Sequence, residues 1–179
     1  MSVHQTSIPG VAGAPRSSHD NRHSPQTDRV VRLLGQLQEL LDAGQTEQAL
    51  QRIRTAESSS DPRLKNALGV CLLRKCEHEK AVTLFRALVL VPGGIMLRND
   101  VPVCWKTNLA TALLMSGRAS GCVSVLNEIG TDPHPAIARL TAAISSWKKS
   151  LSLLQKLSWK LGLDPDRAVQ LDFPPGDLN

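Results

Sequence analysis

The central part of the chain, residues 62–92, reads PRLKNALGVCLLRKCEHEKAVTLFRALVLVP and contains two apolar patterns of helical period. The apolar or small positions recur every three or four residues: Leu64, Leu68, Gly69, Leu72 and Leu73, then Ala81, Val82, Phe85 and Leu88. Such recurrence puts these side chains on one face of an α-helix. The polar turn at Cys76-Glu77-His78 and the closing Pro92-Gly93-Gly94 bound the two patterns. The stretch therefore predicts a helical hairpin.

Similar pairs of patterns lie on both sides of this hairpin. One precedes it and turns at Asp42-Ala43-Gly44, and the other follows it and turns at Gly117-Arg118. Ala81 follows Ala49 by 32 residues, and Cys122 follows Ala81 by 41. The longer spacing predicts an extended loop within residues 93–103. Three consecutive hairpins, at about 28–61, 62–94 and 103–134, predict a repeat array.

The two ends of the chain differ from this array. Residues 1–27 are rich in Ser, Pro, Gly, His and Gln and predict a disordered arm. Another helical pattern follows Pro135, and its apolar arc is formed by Trp147, Leu151, Leu154, Leu157 and Leu161. We expect capping helices over 135–163 that cover the last hairpin. There are two alternatives for this apolar helix: dimerisation, or attachment to an acidic surface through Lys148, Lys149, Lys156 and Lys160. Residues 164–179 predict a flexible tail.

Composition narrows the functional class. The chain has 179 residues, of which 41% are hydrophobic and 21% charged, and its formal net charge is +5. It has no secretory signal, no CxxC pair among its four cysteines, and no apolar run of about 18 residues, which predicts a soluble cytoplasmic protein without a membrane span. Phosphate-binding loops and the HExxH and GxSxG motifs are absent. The sequence therefore predicts no enzyme activity, cofactor or metal.

The hairpins resemble the tetratricopeptide repeat (TPR) family. The middle copy carries Leu68-Gly69, Ala81, Phe85 and Pro92 at the family's positions, and the third copy carries Asn108-Leu109-Ala110, Gly117, Cys122 and Pro133. The resemblance covers about residues 28–134. It implies an all-α fold, an α-solenoid of about three hairpins, in which small side chains let the paired helices approach closely.

The resemblance also implies a concave groove, lined by the first helix of each pair, that binds a peptide or helix of another protein. Its positions in this chain are Arg63, Asn66, Val70 and Arg74 in the middle copy and Thr107, Asn108, Thr111 and Met115 in the third. Leu34 and Gln38 are the counterparts in the first copy, where chaperone-binding relatives carry polar groups that hold a carboxylate. We therefore do not expect binding of heat-shock-protein tails.

The predicted function is a non-enzymatic adaptor, scaffold or co-chaperone-like protein. One alternative is a homo-oligomeric assembly protein that uses the apolar C-terminal helix. Another is binding of nucleic acid through the basic surface, which the lack of interleaved aromatic residues disfavours.

Overall fold

The computed structural model describes residues 25–56 and 60–178, and this part of the chain is all-helical. Its eight helices are α1 (Pro25–Asp42), α2 (Thr46–Arg54), α3 (Pro62–Arg74), α4 (His78–Val89), α5 (Val103–Met115), α6 (Ala119–Ile129), α7 (Pro135–Ser150) and α8 (Leu153–Lys160). The described residues form no strand, and their one isolated bridge joins Leu90 to Leu97. None of these helices has the length and apolar character needed to cross a membrane. The all-α prediction is confirmed.

The first three helix pairs are joined by turns of one geometry. A residue with positive φ follows the first helix of each pair: Gly44 (72°), Cys76 (60°) and Gly117 (81°). In each turn the next N–H donates to the carbonyl five residues earlier: Gln45 to Leu40, Glu77 to Leu72 and Arg118 to Leu113, at 2.8 to 2.9 Å. The positive-φ residue donates to the carbonyl three residues earlier. This Schellman ending satisfies the last carbonyls of the helix and reverses the chain sharply.

Small side chains lie where the helices of a pair meet. Ala49, Ala81 and Cys122 are fully buried. Gly69 in α3 faces the ring of Phe85 in α4: a Cβ added to Gly69 would lie 2.6 and 2.9 Å from Cε1 and Cε2 of that ring, and closer still to Cζ. A side chain at position 69 would therefore force the Phe85 ring to move or α3 and α4 to separate.

Helix α5 is the centre of the packing. It contacts α3, α4, α6 and α7, and most of its residues are buried. The extended connection from α4 to α5 is fixed to the third pair, because the N–H of Leu97 donates to Oε1 of Glu128 at 2.6 Å. Within this connection the N–H of Arg98 donates to the carbonyl of Val89 at 2.8 Å.

The C-terminal helical pattern is two helices, and the second does not cap the array as expected. The chain breaks at Leu151, where α7 ends, and Ser152 begins α8 with a capping box closed by Gln155. Trp147 and Leu151 are buried, but α8 has no buried residue, and Leu154, Leu157 and Leu161 are exposed. The reciprocal hydrogen bonds of Ser152 and Gln155 start a new helix and turn these leucines away from the core.

Both predicted ends need correction. Helix α1 begins at Pro25, so the arm prediction for residues 1–27 fails at 25–27; residues 1–24 lie outside the described chain. Residues 164–178 contact α3, α5, α6 and α7, although we expected a flexible tail. Leu178 belongs to the hydrophobic core, and Val169, Leu171 and Phe173 are partly buried and pack against that core. The carboxylate of Asp164 accepts hydrogen bonds from the N–H and Oγ of Ser120, both at 2.7 Å. Apolar anchors that are widely spaced in an otherwise polar segment thus suffice to order it.

Candidate functional site

The structure brings together two of the predicted groove residues as a buried amide pair. Nδ2 of Asn108 in α5 donates to Oδ1 of Asn66 in α3 at 2.9 Å. Both side chains are 1% exposed. A buried amide is costly unless its donors and acceptors are satisfied, so the remaining hydrogen-bonding groups of this pair need partners.

The chain's own C-terminal segment supplies those partners. The N–H of Asp177 donates to Oδ1 of Asn108 at 2.9 Å, and the carbonyl of Asp177 accepts from Nδ2 of Asn108 at 2.7 Å. Asn66 donates more weakly to the carbonyls of Asp177 and Leu178, at 3.4 and 3.5 Å. Asn108 therefore binds both main-chain groups of one residue in a segment without regular secondary structure.

Arg139, in α7, binds the side chain of the same residue. Its Nη2 lies 2.6 Å from Oδ2 of Asp177. The guanidinium carbon also lies 5.0 Å from the ring centroid of Phe173, so the cation contacts a carboxylate and an aromatic ring of one segment. Arg139 is not among the groove residues predicted from the sequence. Asn66, Asn108 and Arg139 all lie in the second turn of their helices. This shared position in α3, α5 and α7 is the sequence feature that could have indicated Arg139.

Val70, another predicted groove residue, forms the floor under Gly176. A Cβ at Gly176 would lie 3.1 Å from both methyl groups of Val70 and 3.2 Å from Cδ1 of Leu73, and the φ of Gly176 is +81°. Leu178, two residues further on, is buried. The groove thus binds a glycine, an aspartate and a leucine in succession.

Cys104 lies next to the amide pair but is not a reactive thiol. Its Sγ lies 3.7 Å from the carbonyl of Asp177 and acts as a weak donor. Burial raises the pKa of Cys104 to about 12, which keeps the thiol protonated at neutral pH. Burial likewise raises the pKa of Cys122 to about 12 and that of Cys71 to about 11.

The two predicted groove arginines have partners within the helical array. Arg63 forms a bidentate pair with Asp61, the N-cap of α3, through Nε at 3.1 Å and Nη2 at 2.8 Å. The hydrogen bonds from Arg63 lower the pKa of Asp61. Arg74 donates from Nη1 to the carbonyl of Leu41 at 2.6 Å and so ties α3 to the end of α1. Neither arginine contacts the C-terminal segment through a hydrogen bond or ion pair.

The last three predicted residues also lie in α5, but the hydrogen bonds of the two threonines stay within that helix. Oγ1 of Thr107 donates to the carbonyl of Cys104, and Oγ1 of Thr111 to that of Thr107, so both hydroxyls are satisfied within α5. Met115 is half-buried at the end of the helix.

Taken together, these contacts hold the chain's own residues 176–178 against α3, α5 and α7. Two amides bind the main chain, one guanidinium pairs with an acidic side chain, and the apolar floor leaves little room for a Cβ at position 176. No protein-family model, no curated protein and no solved structure matches this chain.

Proposed function

We propose that this protein is a non-enzymatic adaptor of the tetratricopeptide type that binds an extended segment of another protein. In this proposal the three hairpins stack as an α-solenoid, and α3 and α5, with α7 beside them, line its concave groove. The repeated Schellman turns and the small residues at the helix contacts support this architecture.

The observation that carries the proposal is the two-way bond between Asn108 and the main chain of Asp177. An amide that donates to a carbonyl and accepts from the N–H of one residue holds an extended strand of almost any sequence. Main-chain contacts supply affinity, and neighbouring side-chain contacts supply selectivity. The groove side chains have these capacities whether the bound segment comes from this chain or from a partner.

The test compares Asn108→Ala with Asn127→Ala in affinity capture from lysate followed by mass spectrometry. Asn127 is exposed on α6, so its replacement removes an amide outside the groove. We expect Asn108→Ala to lose partners that wild type and Asn127→Ala retain. Circular dichroism at equal concentrations must show equal helix content for all three proteins. Retention of the same partners by Asn108→Ala would refute the groove assignment.

Self-assembly through α8 is a second candidate, because this helix and the residues directly after it expose five leucines. Leu153, Leu154, Leu157, Leu161 and Leu163 are each more than half exposed. Patches of this kind mark contact surfaces. Light scattering of wild type and a Leu154→Ser/Leu157→Ser variant at two concentrations tests it. If the protein assembles through α8, the mass of wild type should double at the higher concentration while the variant stays monomeric. A wild type that stays monomeric at both concentrations contradicts assembly.

A further inference from the structure

We infer that the segment 170–178 of this chain is a built-in competitor for the groove, and that the partner presents an extended Gly-Asp-Leu-like sequence at the same place. The inference rests on the proposed function and adds the chemistry of the ligand and its regulation. The competitor segment, as we call residues 170–178, reads QLDFPPGDL.

The glycine position is selective because both space and backbone conformation restrict it. A side chain at Gly176 would meet Val70 and Leu73 at 3.1 to 3.2 Å, and its φ of +81° is one that residues with a Cβ rarely adopt. A partner segment needs Gly at this place, or else a different path over Val70.

The aspartate position is selective through charge. Its carboxylate pairs with Arg139, whose guanidinium is held against the Phe173 ring. Both side chains of the ion pair are about one third exposed, so the pair confers a preference for an acidic residue rather than most of the affinity. The leucine that follows is buried and provides the apolar anchor.

The competitor segment is bound in a way that permits release. It has no regular secondary structure, and a cavity of about 830 Å³ lies between α7 and residues 167–173. Gln170, Asp172 and Pro174 are exposed. A segment with few buried contacts outside its anchors opens at lower free-energy cost than a packed helix.

Tethering makes the competitor effective even with modest intrinsic affinity. A segment joined to its site acts at an effective concentration on the order of millimolar. An external ligand then binds with an affinity reduced by the fraction of molecules whose groove is open. Weakening the competitor segment must therefore raise the affinity for an external peptide without any new contact.

The experiment measures binding of a fluorescein-labelled peptide of residues 170–178 by fluorescence anisotropy. The full-length variant Gly176→Val/Asp177→Ala weakens the competitor and leaves every groove residue intact. We expect this variant to bind the peptide about tenfold or more tightly than wild type does. Asp172→Ala is the matched control, because it removes an exposed carboxylate from the same segment, and it should bind as wild type does. Adding Asn108→Leu to Gly176→Val/Asp177→Ala should abolish binding of the peptide.

Hydrogen exchange on wild type provides a second measurement that does not depend on how the variant folds. Excess unlabelled peptide should remove the protection of the Asp177 amide in isotope-labelled protein, because the peptide displaces the chain's own segment. The inference would be overturned if the protection of the Asp177 amide stayed unchanged at saturating peptide. It would also be overturned if wild type and Gly176→Val/Asp177→Ala bound the peptide with equal affinity, or if the folded variant did not bind the peptide at all. A doubled mass in light scattering that Gly176→Val/Asp177→Ala abolishes would also overturn it, because the segment would then occupy the groove of a second copy.

The two proposals fail in different ways. If Asn108→Ala loses partners but the peptide does not compete, the groove remains a binding site and only the competitor role is wrong. If Asn108→Ala keeps its partners, the groove function itself is wrong, whatever the peptide does.

Discussion

Replacing Gly69 by alanine tests the close approach of α3 to α4, on which the hairpin depends. The added Cβ would lie 2.6 Å from Cε1 of Phe85 and nearer still to Cζ. Phe85 is fully buried, so its ring can make room only by displacing other core side chains or by moving within the core. Overpacking of a core costs about 1 to 3 kcal/mol, whereas Gly→Ala within a helix gains about 1 kcal/mol from propensity. Because the contact is far inside van der Waals distance, we expect a net loss of about 2 kcal/mol.

Gly35→Ala is the matched control for this prediction. Gly35 is also inside a helix, but an added Cβ there would meet nothing within 4 Å. The same substitution should therefore stabilise the protein by about 0.5 to 1 kcal/mol. Urea denaturation followed by circular dichroism gives both free energies of unfolding, provided that the slopes match that of wild type.

A rescue variant makes the assignment specific. Adding Phe85→Leu to Gly69→Ala shortens the side chain that the new methyl group meets, so the double variant should recover part of the lost stability. If Gly69→Ala were as stable as Gly35→Ala, the helices would not meet at this glycine, and the small-residue account of the hairpin would be wrong.

Four further predictions concern the helix ends, the buried thiols and the exposed thiol. Cys76→Gly should stabilise the protein by about 1 kcal/mol, since φ at this turn is +60°; equal or lower stability in denaturation would contradict this. Asp61→Ala should cost about 1 kcal/mol at pH 7 through the lost cap of α3. Because Arg63 lowers the pKa of Asp61, the wild-type advantage should disappear as pH falls below about 4. Cys104 and Cys122 stay protonated when folded, whereas the unfolded chain releases these protons above about pH 9, so unfolding free energy should fall as pH rises from 9 towards 12. Alkylation at pH 8 with mass spectrometry should label Cys76 first, since it is the exposed cysteine.

The helical part of the fold was predictable from local pattern. Apolar periodicity located the helix pairs, and the spacing of Ala49, Ala81 and Cys122 located their contacts, because both signals lie within a few turns of chain. The break before α8 was missed because the leucine periodicity continues across Ser152 and Gln155. A two-residue capping box outweighed that periodicity.

The candidate site was only partly predictable, for a different reason. The positions of Asn66 and Asn108 in their helices were enough to predict them as groove residues. Arg63 was predicted for the groove in the same way, but its guanidinium binds the carboxylate of Asp61, two residues earlier. The contacts of Asp177 join residues 69 and 111 positions apart in the chain. No local pattern specifies such a pairing. The alternation of Val169, Leu171 and Phe173 indicates an extended segment, but it does not indicate which helices that segment contacts.

The amide of Asn108 explains why residues 177 and 178 pack against α3 and α5. Helix α5 is otherwise buried among apolar neighbours, and its two buried threonines satisfy their hydroxyls on their own helix. Asn108 has no such local solution: Asn66 takes one of its N–H groups, and the main chain of Asp177 provides the other partners. An unoccupied groove would leave those groups to water above an apolar floor, which is less favourable than binding a strand. On the proposal made above, a segment that brings a carbonyl and an N–H to this amide, together with a carboxylate for Arg139, competes directly with Asp177.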